Sequence, residues 1–578
     1  MNNHFRQKEE LFKQMIDFGY FGSRENYSIS DRLFRLLYED KEISMDSYLE
    51  SWNSFLKNKQ GFLSLYIHIP YCVERCNYCY TTSKKWTKEC NLEAYIKKIV
   101  NYLDFFENHF KGEVFDNLYI GGGDPGILSE DLLDKLLSSI FSKYNFLKEG
   151  QRTVENDPRT TSERKMKILK RHGINRLSIG IQTFDPEVLR LNNRIGQNSE
   201  MVEDVVKKAK DVNFKVLNLD LIIGLFGQDP NSIVNSFKKT IDLEPDEISL
   251  YPLFPLKGYL AKIYDKTRPE FFEKRADLYR EVGSKIFEIA NERGYLMDEE
   301  FLESKNRTDA DSIAIKKDNS YNFKTSYVAN TRFNQNSILG IGEGAGSSIF
   351  KELTCTALEG LTKDPNDYCF HGRRVNEDEE LVKYIVTNIS CSTEISVKDL
   401  NNQFSEKSVD RVMKTFRNLE KVGVINLSQG LIRFNFKNPK ESLLYSLFFF
   451  DELSVVGLLE KEPTEFSKEE VPKKTPEKLK KKINKIGNDG ILQNIDGSLL
   501  EKKEDEIIVE TKKGTRSLSI NSETLFVVSW LDEENDYKLI SHQPFSLKQL
   551  KEGADLSLKA NKKSGVLKMV QNIKVIEA

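Results

Sequence analysis

Short apolar runs alternate with charged, amphipathic stretches between residues 61 and 253. Each run has the length of a strand, and helical periodicity follows it. The runs are FLSLYIHI (62–69), VFDNLYIGG (114–122), RTVEN (152–156), RLSIGIQ (176–182), KVLNLDLIIG (215–224) and EISLYPL (247–253). Six strand-then-helix units in succession predict an α/β fold with a parallel sheet, open or closed into a barrel, within residues 61–300.

Amphipathic stretches between these runs are predicted to be helices. Examples are NLEAYIKKIVNYLDFFENHF (91–110), SEDLLDKLLSSIFSKY (129–144) and SERKMKILKRHG (162–173). Gly173 is expected to end the third helix, because glycine readily adopts the left-handed conformation found after a helix. In parallel α/β folds the chemistry lies at the carboxyl ends of the strands, in the loops that follow them.

Three further segments differ in pattern from this alternation. Residues 1–60 look helical, with stretches such as DRLFRLLYED and MDSYLESWNSFLK, and form an N-terminal extension. Residues 301–375 are a connecting segment that contains the glycine-rich SILGIGEGAGSSIF (337–350), expected to be loop-like. Residues 438–578 form a charged appendage that begins rich in Lys and Glu and later becomes strand-like, which predicts an additional α+β tail.

Residues 376–437 are predicted to form a small separate domain. Its helix SVDRVMKTFRNLEKVG (408–423) carries an apolar face. The following VINLSQGLIRFNF reads as two strands around Gln429-Gly430. Together these elements resemble a winged helix.

Composition narrows the class of protein. The chain has 578 residues, with 86 Lys and Arg against 89 Asp and Glu and a net charge of −3. This balance implies no global attraction to nucleic acid or to an anionic membrane. Hydrophobic content of 39% is ample for sizeable cores.

Cysteine number and the apolar segments indicate a reducing compartment. Seven cysteines, an odd number in so long a chain, argue against a secreted disulfide protein, and the polar stretch MNNHFRQKEE lacks the apolar h-region of a signal peptide. The most apolar stretch, LLYSLFFFDELSVVGLL (443–459), has Asp451 and Glu452 near its middle. Such a pair makes a membrane span unfavourable. We expect a cytoplasmic protein without a membrane span, in which a disulfide framework is excluded.

Three cysteines lie close together in YIHIPYCVERCNYCYTTS (66–83), in the loop after the first strand: Cys72, Cys76 and Cys79. Three thiolates can ligate a [4Fe–4S] cluster and leave its fourth iron open. The alternative is zinc, which usually needs a fourth protein ligand. Tyr78 could stack on a purine or simply pack, and His68 could lie near a cofactor or be a core histidine.

Polar and glycine residues recur at the ends of later strands. Gly121, Gly122 and Gly123 would let backbone approach a ligand closely, although glycine-rich turns are common after strands. Glu155, Gln182 and Asp220 belong to successive strands, whose carboxyl ends point at one shared site. Arg194, in a helical stretch beyond Gln182, could clamp a carboxylate. Each residue alone could equally be structural.

Taken together, YIHIPYCVERCNYC, GGGDP, VENDP, GINRLSIGIQTFD and LDLIIGLFGQ resemble one family. Their order and spacing are similar to those of radical S-adenosylmethionine enzymes, in the branch of oxygen-independent coproporphyrinogen III oxidase with its heme-chaperone and radical methyltransferase relatives. The resemblance covers about 61–437 and includes LGIGEGAGSS. It implies a partial (β/α)6 barrel with a winged-helix-like C-terminal domain.

The resemblance also implies cofactors and roles. Cys72, Cys76 and Cys79 would ligate a [4Fe–4S] cluster whose open iron chelates S-adenosylmethionine. The amino group of that molecule would meet the glycines Gly121, Gly122 and Gly123 together with Glu155. Arg194 would bind its carboxylate, Gln182 and Asp220 its ribose hydroxyls, and Tyr66 would lie beside the cluster. Tyr78 joins this cofactor-binding set.

The implied reaction is reductive cleavage of S-adenosylmethionine to a 5′-deoxyadenosyl radical, which abstracts hydrogen from a tetrapyrrole or a similarly large substrate. A low-potential electron donor such as flavodoxin or ferredoxin would supply the electron. One alternative is methyl transfer with a second S-adenosylmethionine, for which Gly342, Gly344 and Ala345 could frame the site. Another is a heme-binding chaperone without turnover.

Several positions depart from the resembled pattern. The porphyrinogen oxidases carry a further cysteine two positions after the third cluster ligand, where this chain has Thr81 after Tyr80. The common G-G-G-T-P-S continues here as Asp124-Pro125-Gly126. These departures bear on the substrate more than on the cluster.

A basic stripe on the helix of the winged-helix-like domain suggests another class of function. Its members are Lys407, Arg411, Lys414, Arg417 and Lys421. Such a stripe could contact DNA. A solvated charged face is the favoured interpretation, because exposed helix faces are routinely charged. No nucleic-acid partner is therefore expected.

Overall fold

The computed structural model describes residues 41–253, 259, 268–296, 313–325, 336–358, 360–391, 394–435 and 445–449, and the strands between 492 and 576. Three segments discussed from the sequence lie outside the described residues: the helix predicted at 31–40, most of the apolar stretch 443–459, and the Lys-rich stretch 468–485. The chain divides into two compact units, residues 1–461 and 462–578.

Strands and helices alternate through most of the first unit. Its strands are β1 (Lys41–Ser44), β2 (Phe62–Ile69), β3 (Tyr71–Cys72), β4 (Lys84–Lys85), β5 (Val114–Phe115), β6 (Asn117–Gly122), β7 (Asn145–Phe146), β8 (Arg152–Asn156), β9 (Arg176–Gln182), β10 (Val216–Ile223), β11 (Glu247–Pro252), β12 (Tyr295–Leu296), β13 (Ile313–Lys317), β14 (Asn336–Ile341), β15 (Gly346–Ile349), β16 (Leu353–Thr356), β17 (Cys369–Arg374), β18 (Glu394–Ser396), β19 (Ile425–Ser428) and β20 (Leu431–Phe434). Its helices are α1 (Met45–Lys57), α2 (Leu92–Glu107), α3 (Glu130–Lys143), α4 (Glu163–Arg171), α5 (Pro186–Leu191), α6 (Ser199–Val212), α7 (Pro230–Asp242), α8 (Arg268–Glu292), α9 (Glu377–Cys391), α10 (Val397–Gln403) and α11 (Glu406–Lys421).

A single large sheet organises this unit. Its strand order is β1-β17-β16-β15-β14-β2-β6-β8-β9-β10-β11-β13-β12. The run from β14 to β11 is parallel throughout, and the strands on either side of it are antiparallel. Among the described strands, none pairs β1 with β12, so the hydrogen-bonded ladder is open at both ends. The α/β fold with a central parallel sheet is confirmed.

The predicted strands and helices agree closely with the observed ones. RTVEN and RLSIGIQ are β8 and β9 residue for residue. Side chains of Ser129 and Ser162 accept backbone N–H bonds at the starts of α3 and α4, which supplies partners for otherwise unpaired amides. Gly173 follows α4 with φ of 92°, as its predicted position requires.

The glycine-rich segment 337–350 is not a loop, contrary to expectation. It contains β14, which pairs in parallel with β2, the strand that precedes the cysteine loop, and β15, which turns back antiparallel. Ile338, Leu339 and Ile341 are buried on β14, so their burial outweighs the low strand propensity of the intervening glycine. The parallel sheet therefore has a seventh strand.

Residues 41–57 are part of the core of this unit. Strand β1 pairs with β17, and α1 spans the predicted helical stretch MDSYLESWNSFLK. Tyr48 stacks on Phe370 with ring centroids 4.3 Å apart, and its hydroxyl lies 2.9 Å from Ser347 Oγ. Trp52 is fully buried beside it. These contacts anchor α1 to β15 and β17.

The elements between 377 and 434 have the predicted helix-and-wing arrangement. Strands β18, β20 and β19 form a three-stranded sheet, and the turn at Gln429-Gly430 has two left-handed residues. The apolar face of α11 is buried through Val409, Val412 and Phe416. On its polar side Arg411 pairs with Asp378 of α9 at 2.6 Å.

The second unit contains a seven-stranded sheet. Its strands are β21 (Leu492–Lys502), β22 (Glu506–Thr511), β23 (Gly514–Ser519), β24 (Leu525–Asp532), β25 (Lys538–Pro544), β26 (Asp555–Asn561) and β27 (Leu567–Ile576). Their order is β23-β22-β21-β26-β27-β24-β25, with only the β24–β27 pair parallel. Over both units, no helix in the described part of the chain is long and apolar enough to cross a membrane.

Candidate active site

The three clustered cysteines lie in the segment between β2 and β4, at the carboxyl edge of the parallel strands. The loop is held by backbone bonds, since Cys79 N–H donates to Cys76 O at 3.2 Å and Asn77 N–H to Asn192 O at 3.1 Å. All three thiols are free and half-buried. The loop thus holds its shape without a disulfide.

Each cysteine sulfur has a distinct polar environment. Arg194 Nη1 lies 3.5 Å from Cys76 Sγ. The hydroxyl of Thr81 lies 3.0 Å from Cys79 Sγ. Burial, followed by the charges of Asp124 and the other two thiols, raises the pKa of Cys72. The mutual influence of the thiols places them within electrostatic reach of one another.

The glycine run after β6 packs directly against predicted site residues. A side chain at Gly121 would collide with the carboxylate of Glu155, which accepts a bond from Tyr119 Oη at 2.5 Å. Glu155 also accepts from Gly122 N–H at 3.3 Å. A Cβ at Gly123 would lie 2.7 Å from the carbonyl oxygens of Ile69 and Tyr71. Glycine is therefore needed here because neighbouring protein atoms occupy the space.

His68 connects two parts of the site. Its Nδ1 lies 2.8 Å from Tyr66 Oη and its Nε2 lies 2.7 Å from the carbonyl oxygen of Thr82. Because a carbonyl only accepts, Nε2 carries the proton and Tyr66 donates to Nδ1. Burial lowers the pKa of the imidazole, which favours this neutral form. His68 therefore positions Tyr66 and the end of the cysteine loop.

Replacing Gly122 with alanine is expected to disturb this arrangement. Gly122 has φ of +100°, and an added Cβ would lie 2.5 Å from His68 Nδ1. Backbone strain of about 1–2 kcal/mol and a displaced ring costing about 1–3 kcal/mol should both lower the free energy of unfolding. Gly112→Ala is the matched control, since Gly112 has φ of +87° with nothing within 4 Å. Denaturant titrations that show equal losses for both variants would contradict the crowding argument.

Gln182 has three features typical of a ligand-binding residue. Its φ is +70°, an uncommon conformation for a residue with a side chain, and the pairing of β9 with β10 shifts register opposite it. Its amide oxygen is shielded from solvent and has no hydrogen-bond partner among the described residues. Such an orphan acceptor costs free energy unless a ligand donor meets it.

Asp220 belongs to a polar network inside the sheet. Its carboxylate accepts from Ser178 Oγ at 2.9 Å and from Asn218 Nδ2 at 2.7 Å. Ser249 Oγ in turn donates to Asn218 Oδ1 at 2.9 Å. Burial raises the pKa of Asp220. The sequence predicted Asp220 as a site residue. It did not predict Ser178, Asn218 and Ser249, the hydrogen-bonded residues that hold Asp220 in place.

Arg194 lies in the turn after α5, not in a helix as expected. It is buried, and its Nη2 lies 3.0 Å from Asp157 Oδ2. Asp157 is also held by Arg159. Burial alone would raise the pKa of Asp157, but these two guanidinium groups keep it below its usual value. Asp157 therefore holds the Arg194 guanidinium in a fixed orientation, and a carboxylate ligand would meet it in that orientation.

Tyr78 and the later glycines contact protein rather than open space. Tyr78 is buried in an apolar cluster with Val188 and Leu225, with its hydroxyl near Cys76. A Cβ at Gly342 would lie 2.5 Å from the carbonyl oxygen of His68, and one at Gly344 would lie 2.5 Å from Thr82 Cβ. Protein packing explains these glycines, so they are not by themselves evidence for a second ligand.

The segment 342–345 forms a clasp on the cysteine loop. Glu343 accepts two bonds from Lys84 Nζ, at 2.9 and 2.8 Å. Tyr95 Oη donates to His68 O at 2.8 Å and accepts from Glu343 N–H at 3.1 Å. The amide of Gly344 is itself bonded to Ala357 O at 2.6 Å. The turn after β14 thereby fixes both ends of the loop that carries the thiols.

Asp124 and Gly126, which depart from the resembled pattern, form a matched set. Oxygens of Asp124 accept from the amides of Gly126 and Asp157, at 3.0 and 3.2 Å, and from Thr160 Oγ1 at 2.8 Å. A side chain on Gly126 would collide with the Thr160 hydroxyl. Asp124 and Gly126 therefore suit each other and the turn after β8.

The stability of the fold should depend on the ionisation of Asp124. Burial, followed by the charge of Asp157, raises its pKa to about 7, whereas an unfolded aspartate titrates near ~3.9. Its stabilising contribution is thus complete below the unfolded pKa and is lost as pH rises through about 7. Between pH 6 and 8 the free energy of unfolding of the wild type should fall by about 1 kcal/mol more than that of Asp124→Asn. The asparagine is a suitable control because its amide oxygen can still accept both backbone bonds. Parallel pH profiles for the two proteins, measured by denaturant unfolding, would refute this assignment.

A buried ion pair lies at the amino ends of the strands, away from the cysteines. Arg176 begins β9 and Glu247 begins β11, and their nearest atoms are 2.8 Å apart with both residues buried. Lys316 approaches Glu247 at 3.6 Å. In parallel α/β folds this end serves stability rather than chemistry. The pattern analysis did not identify this pair.

The residues present fit an iron–sulfur cluster with an amino-acid-bearing nucleoside ligand. Among the described residues, no three His, Cys, Asp or Glu side chains are close enough to share one metal ion. A [4Fe–4S] cluster does not require such a group, because its thiolates ligate separate irons. The orphan oxygen of Gln182 suits a hydroxyl donor, and the Arg194 guanidinium suits a carboxylate.

Family comparison agrees with this geometry. Residues 66–240 match the model of the radical SAM superfamily, so the chain carries a radical SAM domain. Proteins of this superfamily use a [4Fe–4S] cluster and S-adenosylmethionine.

The relatives point to one branch of that superfamily. The chain is 27% identical over 406 residues to an oxygen-independent coproporphyrinogen III oxidase of Pseudomonas aeruginosa, covering 65% of this chain and 81% of the relative. It is 32% identical over 191 residues to the heme chaperone HemW of Escherichia coli, covering 33% and 50%. The solved coproporphyrinogen III oxidase of Escherichia coli superposes with a TM-score of 0.55 at 20% identity, over 70% of this chain and 93% of that one. The fold of the chain is thus similar to that of this oxidase, and the radical SAM match lies within it at residues 66–240.

Proposed function

We propose that the protein is a radical S-adenosylmethionine enzyme that abstracts hydrogen from a tetrapyrrole or a similarly large substrate. The observation that carries the proposal is the convergence of three free thiols, the Arg194 guanidinium and the orphaned Gln182 oxygen at one edge of the parallel sheet. Similarity to coproporphyrinogen III oxidases supports the substrate class.

In this proposal Cys72, Cys76 and Cys79 hold the cluster. A cluster held there would supply the electron that S-adenosylmethionine needs for hydrogen abstraction. The chain's own residues bind and orient. Arg194 holds the carboxylate of S-adenosylmethionine, and Glu155 holds its amino group.

The rest of the nucleoside site is assigned in the same way. Gln182 and Asp220 bind the ribose hydroxyls, while His68 keeps Tyr66 directed toward the site. Gly121 leaves room for the Glu155 carboxylate to lie at the strand end. This division leaves positioning to the protein and the difficult chemistry to the cofactor.

A heme-binding chaperone is the second candidate, because the match to HemW reaches 32% identity. Methyl transfer is less well supported, since packing explains Gly342 and Gly344. Product analysis with dithionite under anaerobic conditions separates the three. Formation of 5′-deoxyadenosine alone, in the presence of a porphyrinogen, supports the hydrogen-abstracting enzyme. Formation of S-adenosylhomocysteine as a further product supports methyl transfer. Heme binding without either product supports the chaperone.

A further inference from the structure

We propose that the hydroxyl of Thr81, assisted by that of Ser83, hydrogen-bonds the sulfur of Cys79 and raises the reduction potential of the cluster bound there. The inference rests on the proposed function in one respect, which is that Cys79 is a cluster ligand. It assigns a tuning role to two residues that are not ligands themselves.

Both hydroxyls are already placed at the sulfur. Thr81 Oγ1 lies 3.0 Å and Ser83 Oγ 3.3 Å from Cys79 Sγ. Thr81 is half-buried and Ser83 is buried. Thr81 Oγ1 also donates to the carbonyl oxygen of Gly122 at 2.9 Å. The Thr81 hydroxyl therefore bridges the cysteine loop and the glycine run.

Counting protons shows what changes when the sulfur binds iron. The Thr81 hydroxyl has one proton, and the carbonyl of Gly122 can only accept. While Cys79 is a thiol, its S–H can donate to Thr81 as Thr81 donates to Gly122. An iron-bound sulfur has no proton, so the contact persists only if a hydroxyl donates to it. Rotation about the Thr81 C–O bond suffices, and no covalent bond forms or breaks.

The direction of the effect follows from charge. A reduced cluster carries one more negative charge than an oxidised one, and hydrogen bonds to its sulfurs stabilise that charge. Donation from Thr81 therefore raises the potential. It also releases the carbonyl of Gly122 to accept a bond from a ligand N–H.

Potentiometric titration of the anaerobically reconstituted full-length protein tests this inference, with the cluster followed by its absorbance and spin signal. Thr81→Val, which keeps the shape but removes the hydroxyl, should shift the midpoint to a more negative potential than the wild type. Thr81→Ser, which keeps the hydroxyl, should stay near the wild type. Ser83→Ala should shift in the same direction as Thr81→Val but less, because its contact is longer.

The possible outcomes are distinguishable. A Thr81→Val protein that loads iron normally with an unchanged midpoint overturns the tuning role alone. A wild type that binds no cluster overturns the proposed function and the inference with it. If Thr81→Val fails to load, Thr81→Ala is titrated instead. If neither loads while Thr81→Ser does, the hydroxyl serves assembly and the tuning role is rejected.

Discussion

Replacing Cys76 with alanine is expected to abolish cluster binding. A methyl group cannot ligate iron, and two remaining thiolates leave the site short of the three ligands that a cluster with one open iron needs. Anaerobically reconstituted wild-type protein should contain about four irons per chain, and the variant less than one. Formation of 5′-deoxyadenosine should fall to background in the same protein.

Cys369→Ala is the matched control for this loss. Cys369 is an exposed free thiol on β17, the strand that pairs with β1. Its removal should leave iron content and product formation unchanged. A Cys76→Ala protein that retained four irons would show that other residues hold the cluster.

Replacing Arg176 with leucine is expected to destabilise the first unit by about 3–5 kcal/mol, because Glu247 is then left buried without its main partner. Burial by itself would lower the pKa of the Arg176 guanidinium, but the carboxylate of Glu247 holds this pKa above its usual value. The loss should appear as a lower denaturant midpoint. Replacing both residues with leucine should recover part of it, since no lone charge is then buried.

Arg190→Leu provides the comparison for this buried pair. Arg190 makes a similar two-bond contact with Glu187, with Nη2 2.6 Å from Oε1, but both side chains are at least 60% exposed. An exposed pair of this kind is worth about 0–1 kcal/mol. Equal losses for Arg176→Leu and Arg190→Leu would show that burial does not set the size of the effect.

The strand pattern was predictable because buried parallel strands are short apolar runs and the covering helices are amphipathic. The boundaries of β8 and β9 follow directly from that contrast. Strand β14 was missed because glycines resemble a loop in the sequence. Glycine is required at such positions because the backbone contacts residues that are far away in the chain, as Gly342 contacts His68. A local pattern contains no information about such contacts.

The site was predictable at strand ends and poorly predictable within strands. Arg176 and Ser178 share one face of β9, as do Asn218 and Asp220 on β10. Polar residues two apart inside an apolar strand are the signal that would have revealed this inner face. The same spacing occurs at Glu247, Ser249 and Tyr251.

The clasp of residues 342–345 on the cysteine loop has a consequence for the order of events during synthesis. Strand β2 gains its neighbour β14 only across a wide sequence separation, as in the 2.7 Å bond between Ser64 and Asn336, which are 272 residues apart. A contact of such high contact order closes late, because the entropy of a long loop must be overcome first. The ribosome completes six of the parallel strands, β2, β6, β8, β9, β10 and β11, before it reaches Glu343. The nascent chain therefore carries its three thiols on an unclasped loop for much of translation, and that is the interval in which they are most open to incoming iron and to oxidation.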